Sequence, residues 1–144
     1  MKEIFRKESL AIDYDKHDWQ GAIKVVGDLL VKMGSIEVEY IQAMIEAVEQ
    51  YGPYMVIAPH LAIAHGAPGK HVIKDDLVVV VFKEPVYFGS PNDPVYLMLG
   101  ISALSPHRHL EQLQVISDLF EDENAWERLY HCDDVEELYG LLNQ

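Results

Sequence analysis

The sequence predicts an α/β fold: a single mixed β-sheet flanked by helices on both faces. Three observations carry this. Apolar residues recur at helical spacing over residues 19–33 and again over 37–51. Short apolar runs bounded by Gly and Pro then crowd residues 54–102. Helical spacing returns after Pro106 and persists to the end.

The elements follow in order. Residues 3–12 mix apolar and charged side chains without a clear period and are read as a strand, with a turn at "DYDKHD" (13–18). In the first helix Trp19, Ala22, Ile23, Val26, Leu30 and Met33 share one face, Asp18 is the candidate N-cap, and Gly34 stands where a helix C-terminus favours glycine. A second helix, 37–51, buries Tyr40, Ile41, Met44, Ile45 and Val48 and ends at "YGP" (51–53). "YMVIA" (54–58) and "LAIAH" (61–65) read as short strands broken by Pro59. "DLVVVVFK" (76–83) does not alternate, so it is predicted to be buried on both faces of the sheet. "VYF" (86–88) and "VYLMLGIS" (95–102) read as further strands around the turn-rich "GSPNDP" (89–94). Leu110, Leu113, Ile116, Leu119 and Phe120 form the stripe of a third helix. A short helix near 126–129 and a last one over 133–142, with Asp133 as its cap, complete the chain.

At 144 residues, 49% hydrophobic and 24% charged, the composition is that of one globular domain spanning 1–144. No apolar run is long enough to cross a bilayer, and the N-terminus lacks the apolar core of a signal peptide. The single cysteine, Cys132, cannot form an internal disulfide, which points to a cytoplasmic location. It lies in "HCDDVEE", where neighbouring carboxylates disfavour a thiolate, so it is a poor nucleophile. A net charge of −13 excludes nucleic acid as a partner, because a phosphate backbone would be repelled over most of the surface.

Chemistry concentrates in histidine. His17 and His131 are isolated and read as surface residues. His60, His65 and His71 share the loop-like "APHLAIAHGAPGKHV" (58–72), and His107 and His109 open the third helix. Strand ends and helix N-termini are where sites collect in α/β folds. Neither cluster has H-x-x-x-H spacing, so no metal or other cofactor is implied, although a metal-dependent hydrolase assembled from both clusters stays open as an alternative. The serine elbow G-x-S-x-G and the phosphate-binding glycine loops are absent. What remains is histidine as nucleophile. A neutral imidazole carries a free ring nitrogen able to attack a phosphoryl group, and "GAPG" after His65 would let backbone N–H groups approach its oxygens.

"YGPYMVIAPHLAIAHGAPG", "NDPV" and "HRHLEQLQVISDLFEDE" together resemble the mannitol–fructose class of enzyme IIA, nearest its ascorbate-type branch. These are phosphocarriers of the bacterial phosphoenolpyruvate-dependent sugar phosphotransferase system. The resemblance implies the mannitol-type IIA fold and a phosphohistidine relay. His65 would accept the phosphoryl group from phospho-HPr and pass it to a cysteine of a IIB partner, with IIC in the membrane. A second histidine would line the pocket and steady the phosphoryl group. His109 matches it best, with His107 as fallback. Gly66 would donate a backbone N–H, and His60 and Arg108 are further candidates for phosphoryl contact. Length leaves no room for fused IIB and IIC domains.

Two departures stand out: Ala64 replaces the family's proline, and His60 its glycine. Glu49 or Gln50 also stands where some mannitol-type relatives carry an arginine. Met55, Leu61, Ile63 and Pro68 are read as core and turn residues rather than a docking rim. Lys70 is read as solvated, and Asp93 as a turn former. A regulatory IIA-like domain, read by a partner rather than feeding a transporter, is the other alternative. The sugar and the oligomeric state, a homodimer included, stay open.

Overall fold

The computed structural model describes residues 4–122 and 124–144. Five strands form one mixed sheet: β1 (Leu10–Asp13), β2 (Val56–Ala58), β3 (Leu61–Ala64), β4 (Asp76–Val86) and β5 (Val95–Ser102), in spatial order β1-β4-β5-β3-β2. β1 runs parallel to β4 and β3 parallel to β5, while the β4–β5 and β2–β3 pairs are antiparallel.

Helices cover both faces. β4 shows why its apolar run does not alternate: Val78, Val80 and Phe82 pack on one side, Val79 and Val81 on the other, and all five are solvent-inaccessible. On the first side lie α1 (Trp19–Lys32) and α2 (Glu39–Tyr51), contributing Ile23, Val26, Leu30, Tyr40 and Met44. On the second lie α3 (Pro106–Leu119), α4 (Ala125–Tyr130) and α5 (Val135–Leu142), contributing Ile116, Leu129, Leu138 and Leu142. The approach of α1 to the sheet depends on Gly100. A Cβ there would fall 2.4 Å from Val26 and 2.8 Å from Val78, closer than any side chain tolerates. Asn143 ties the chain ends together: its Oδ1 accepts from the N–H groups of Ile4 and Phe5, and its Nδ2 donates to the Phe5 carbonyl.

Most predicted elements are present, with four corrections. The first strand is confined to Leu10–Asp13 behind a single 3₁₀ turn, Lys7–Ser9; Glu3 lies outside the described residues. The second helix starts at Glu39 rather than 37. "VYF" is not a separate strand. β4 continues through Pro85, which has no N–H to donate and sits where the β4–β5 register shifts between Val81 and Val86; pairing resumes at Val86–Val95. The cap of the last helix is Asp134, whose carboxylate accepts from the Glu137 N–H at 2.9 Å; Asp133 lies one residue outside.

The Asp18 cap forms as expected, accepting from Gly21 N–H at 2.7 Å. Met55, Leu61 and Ile63 are core residues. Cys132 is buried, and its thiol is raised by desolvation and then by Glu137. Asp93 anchors its turn by accepting from the N–H groups of Phe88, Gly89 and Ser90. Among the described residues no helix is long and apolar enough to cross a membrane.

Candidate functional site

The site is a consequence of strand direction. Because β3 and β5 are parallel, with Ala64 opposite Gly100, both strands end at the same edge of the sheet. His65 is the first residue after β3. The chain leaving β5 turns through Ala103 and Leu104 into α3, whose N-cap is Ser105; its hydroxyl oxygen accepts from Arg108 N–H. One turn into α3, His109 returns over the strand end. The two imidazoles, 44 positions apart in sequence, meet with ring centroids 5.5 Å apart and planes inclined by 38°. The "GAPG" loop is fastened to the same corner, since Gly69 N–H donates to the Ala103 carbonyl.

His65 is held by its own strand. Its Nδ1 lies 2.8 Å from the Ile63 carbonyl. A carbonyl only accepts, so Nδ1 carries the proton and Nε2 carries the free lone pair. Burial lowers the His65 pKa; the Ile63 carbonyl acts in the opposite sense and His109 adds to the lowering. His109 is lowered by desolvation. Both rings are therefore mainly neutral at pH 7, and a neutral His65 keeps one lone pair, on Nε2, that could act as a nucleophile.

Two tyrosines complete the surroundings. The Tyr54 ring meets His65 edge-on at 5.2 Å, and its hydroxyl donates to the His65 carbonyl at 2.9 Å. The Tyr40 hydroxyl accepts from Gly66 N–H at 2.8 Å. Spacing could not reveal either role. Tyr40 reads simply as part of the buried face of α2, and Tyr54 as part of a strand.

The other candidates fall elsewhere. His60 precedes β3 while His65 follows it, so the strand itself separates them. The His60 Nδ1 bonds the Pro94 carbonyl at 2.7 Å, and its ring packs on Trp126 at 4.3 Å. Gly66 does sit in the site, but its N–H is occupied by Tyr40. Arg108 points to acids, with Nη1 3.3 Å from Glu111 and Nε 3.6 Å from Asp75. The exposed His107 lies 3.6 Å from Glu111, not against His65. His71 pairs with Glu37 at 3.1 Å, and Lys70 is exposed. Among the described residues, clusters with metal-ligand proximity are Asp13–Asp15–His17 and Glu37–Glu39–His71; neither includes His65 or His109.

The structure is thus a mixed-sheet α/β protein in which a histidine with one ring nitrogen held by a carbonyl has a second imidazole beside it. The model of the phosphoenolpyruvate-dependent sugar phosphotransferase system EIIA 2 family matches residues 3–144, and the chain belongs to that family. Membership makes it a phosphoryl-relay component of that system. Over 143 residues it is 37% identical to the ascorbate-specific PTS system EIIA component of Escherichia coli (strain K12), covering 98% of this chain and 93% of that one. Against the corresponding component of Salmonella choleraesuis (strain SC-B67) the identity is 38%, with the same coverage. The fold is similar to the crystal structure of IIA mannitol from Escherichia coli (TM-score 0.83, 29% identity, covering 96% of this chain and 98% of that one). It is equally similar to enzyme IIAMtl in its complex with phosphorylated enzyme IIBMtl from the same organism (TM-score 0.83, 27% identity, 96% of both chains).

Proposed function

We propose that this chain, acting as one cytoplasmic domain over residues 1–144, carries a phosphoryl group on Nε2 of His65, taking it from phospho-HPr and delivering it to a cysteine of a IIB protein whose IIC partner lies in the membrane. The observation that carries this reading is the Nδ1 contact to the Ile63 carbonyl, which leaves Nε2 alone able to attack. In the first step the Nε2 lone pair forms a P–N bond as the donor's P–N bond breaks. In the second the acceptor thiolate forms a P–S bond as the His65 bond breaks, returning the ring to its starting neutral form. Such transfers ask for in-line placement and for donors to the equatorial oxygens. His109 supplies an imidazole N–H for them, which matters in a chain carrying a net charge of −13. Uptake of an ascorbate-like sugar is the transport role nearest to the named relatives.

The test is incubation with phosphoenolpyruvate, enzyme I and HPr, followed by intact mass. One acid-labile phosphoryl group is expected on the wild type and none on His65→Ala. A group that persists in His65→Ala overturns the assignment.

A further inference from the structure

Both polar atoms of one peptide group, the one joining His65 to Gly66, are taken by phenols. Tyr54, from the loop ahead of β2, donates to its carbonyl at 2.9 Å. Tyr40, from α2, accepts from its N–H at 2.8 Å and donates in turn to the Ile101 carbonyl on β5 at 3.3 Å. The Tyr40 ring also closes the space on Gly66, where a Cβ would lie 3.3 Å from it. The Tyr54 ring stands at 90° to the His65 ring. This peptide is where the chain leaves the sheet, so no strand neighbour fixes its plane. Tyr54 reaches both this peptide and the His65 ring, so the turn and the ring that bonds the Ile63 carbonyl share one support.

We infer that Tyr40 and Tyr54 form a two-sided clamp on the His65–Gly66 peptide, and that they act as positioning residues that keep the His65 ring in the form with Nδ1 protonated and Nε2 open. The inference rests on the proposed role of His65 for its functional meaning, but not for its geometry. Neither phenol oxygen bonds a ring nitrogen of His65; Tyr40 acts through the backbone, and Tyr54 through the backbone and its edge-on contact with the ring. Both must keep their protons to do so. Burial raises both pKa values, which holds the hydroxyls protonated across the working range. A clamp of this kind suits a phosphocarrier, because the ring must present the same nitrogen to a donor and then to an acceptor.

The test uses the full chain with ¹⁵N-labelled histidine and three variants: Tyr40→Phe, Tyr54→Phe and, as a control, Tyr14→Phe. Tyr14 likewise donates to a carbonyl at 2.9 Å, that of Asp133, and has no contact with the site. Ring ¹⁵N shifts report which nitrogen of His65 is protonated. The expected result is one tautomer, Nδ1–H, in the wild type and in Tyr14→Phe, and an averaged pair of tautomers in Tyr54→Phe and Tyr40→Phe. With phospho-HPr as donor, kcat is expected to fall by about tenfold in each site variant at nearly unchanged KM, since misplacement of a reacting group acts on the chemical step. Tyr40→Phe leaves a buried N–H without its acceptor and is the variant at risk of misfolding. Tyr54, which is only half-buried, therefore provides the decisive comparison. A folded Tyr54→Phe with an unchanged Nδ1–H signature overturns the clamp. If the wild type takes no phosphoryl group yet the tautomer shifts in Tyr54→Phe, the clamp stands and the relay assignment falls.

Discussion

The two ends of β3 each carry a histidine, and their surroundings differ. At the entering end His60 adopts a left-handed backbone (φ 68°), an arrangement costly for a residue with a Cβ. Its backbone, one ring nitrogen and one ring face are engaged. Its N–H donates to the Asn92 carbonyl, its carbonyl accepts from Tyr96 and Leu97, its ring nitrogen meets Pro94, and its ring rests on Trp126. At the leaving end His65 is likewise held through Nδ1, and its ring lies beside a second imidazole, with centroids 5.5 Å apart. Residue type is thus a poor guide to role. Both rings are held through Nδ1 to a carbonyl. What separates them is the company of the ring: Trp126 and Tyr96 beside His60, a second imidazole beside His65.

The sharpest way to break this comparison is to delete each ring. His65→Ala should lose phosphoryl acceptance completely, and His60→Ala should keep it, as read by intact mass after incubation with the donor system; equal loss in both would erase the distinction. His109→Ala should still accept, but with an initial rate lower by about 10²-fold, the usual cost of removing a donor to a developing oxyanion. Stopped-flow transfer from phospho-HPr measures this, and a rate matching wild type would remove His109 from the site. Arg108→Ala should leave that rate unchanged, because its guanidinium is engaged with Glu111 and Asp75.

A third comparison concerns stability at the entering end. His60→Gly should be more stable than His60→Ala by about 1 kcal/mol, since glycine alone adopts positive φ without a Cβ conflict. Urea midpoints test this, and an equal pair would mean that the backbone there relaxes. The smallest expected effect is in pH. Burial holds the His65 pKa below its ordinary value of 6.5, so acceptance should persist as pH falls through 6.5 and fail only beneath it, when the imidazolium no longer has a lone pair. The same depressed value makes the stabilising contribution of a neutral buried His65 complete above about 6.5 and progressively lost as pH drops from there toward the folded-state value. Thermal midpoints of the wild type should therefore decline below that pH more steeply than those of His65→Gln.

Much of the fold was legible in the sequence because its signals are local. The stripe from Trp19 to Met33, the Asp18 cap and the unbroken valines of β4 each declare themselves within a few residues of chain. Errors arose where the deciding partner was distant or the signal doubled. Two adjacent aspartates, Asp133 and Asp134, compete for one cap, and the choice falls to the one with extended backbone (φ −146°, ψ 164°). Residues 86–88 looked like a strand of their own because Pro85 interrupts the ladder, yet the pairing of Val86 with Val95 shows β4 running on.

For the site, the sequence by itself supplied the candidate nucleophile and its neighbourhood: a histidine after a short apolar strand, before a glycine-rich turn, in a motif resembling a phosphocarrier family. It also supplied a partner histidine at a helix start. Only the tertiary structure decided which histidines meet. Parallel pairing of β3 with β5 brings the leaving ends of two distant strands to one edge, so His109 reaches His65, while His60 stays at the far end of β3. The same packing turned Arg108 toward acids, gave the Gly66 N–H to Tyr40 and set Tyr54 against His65. Periodicity and caps act over one or two turns of chain. Contacts between residues 11, 26 or 44 positions apart follow from sheet order and helix placement, which the whole hydrophobic core settles together.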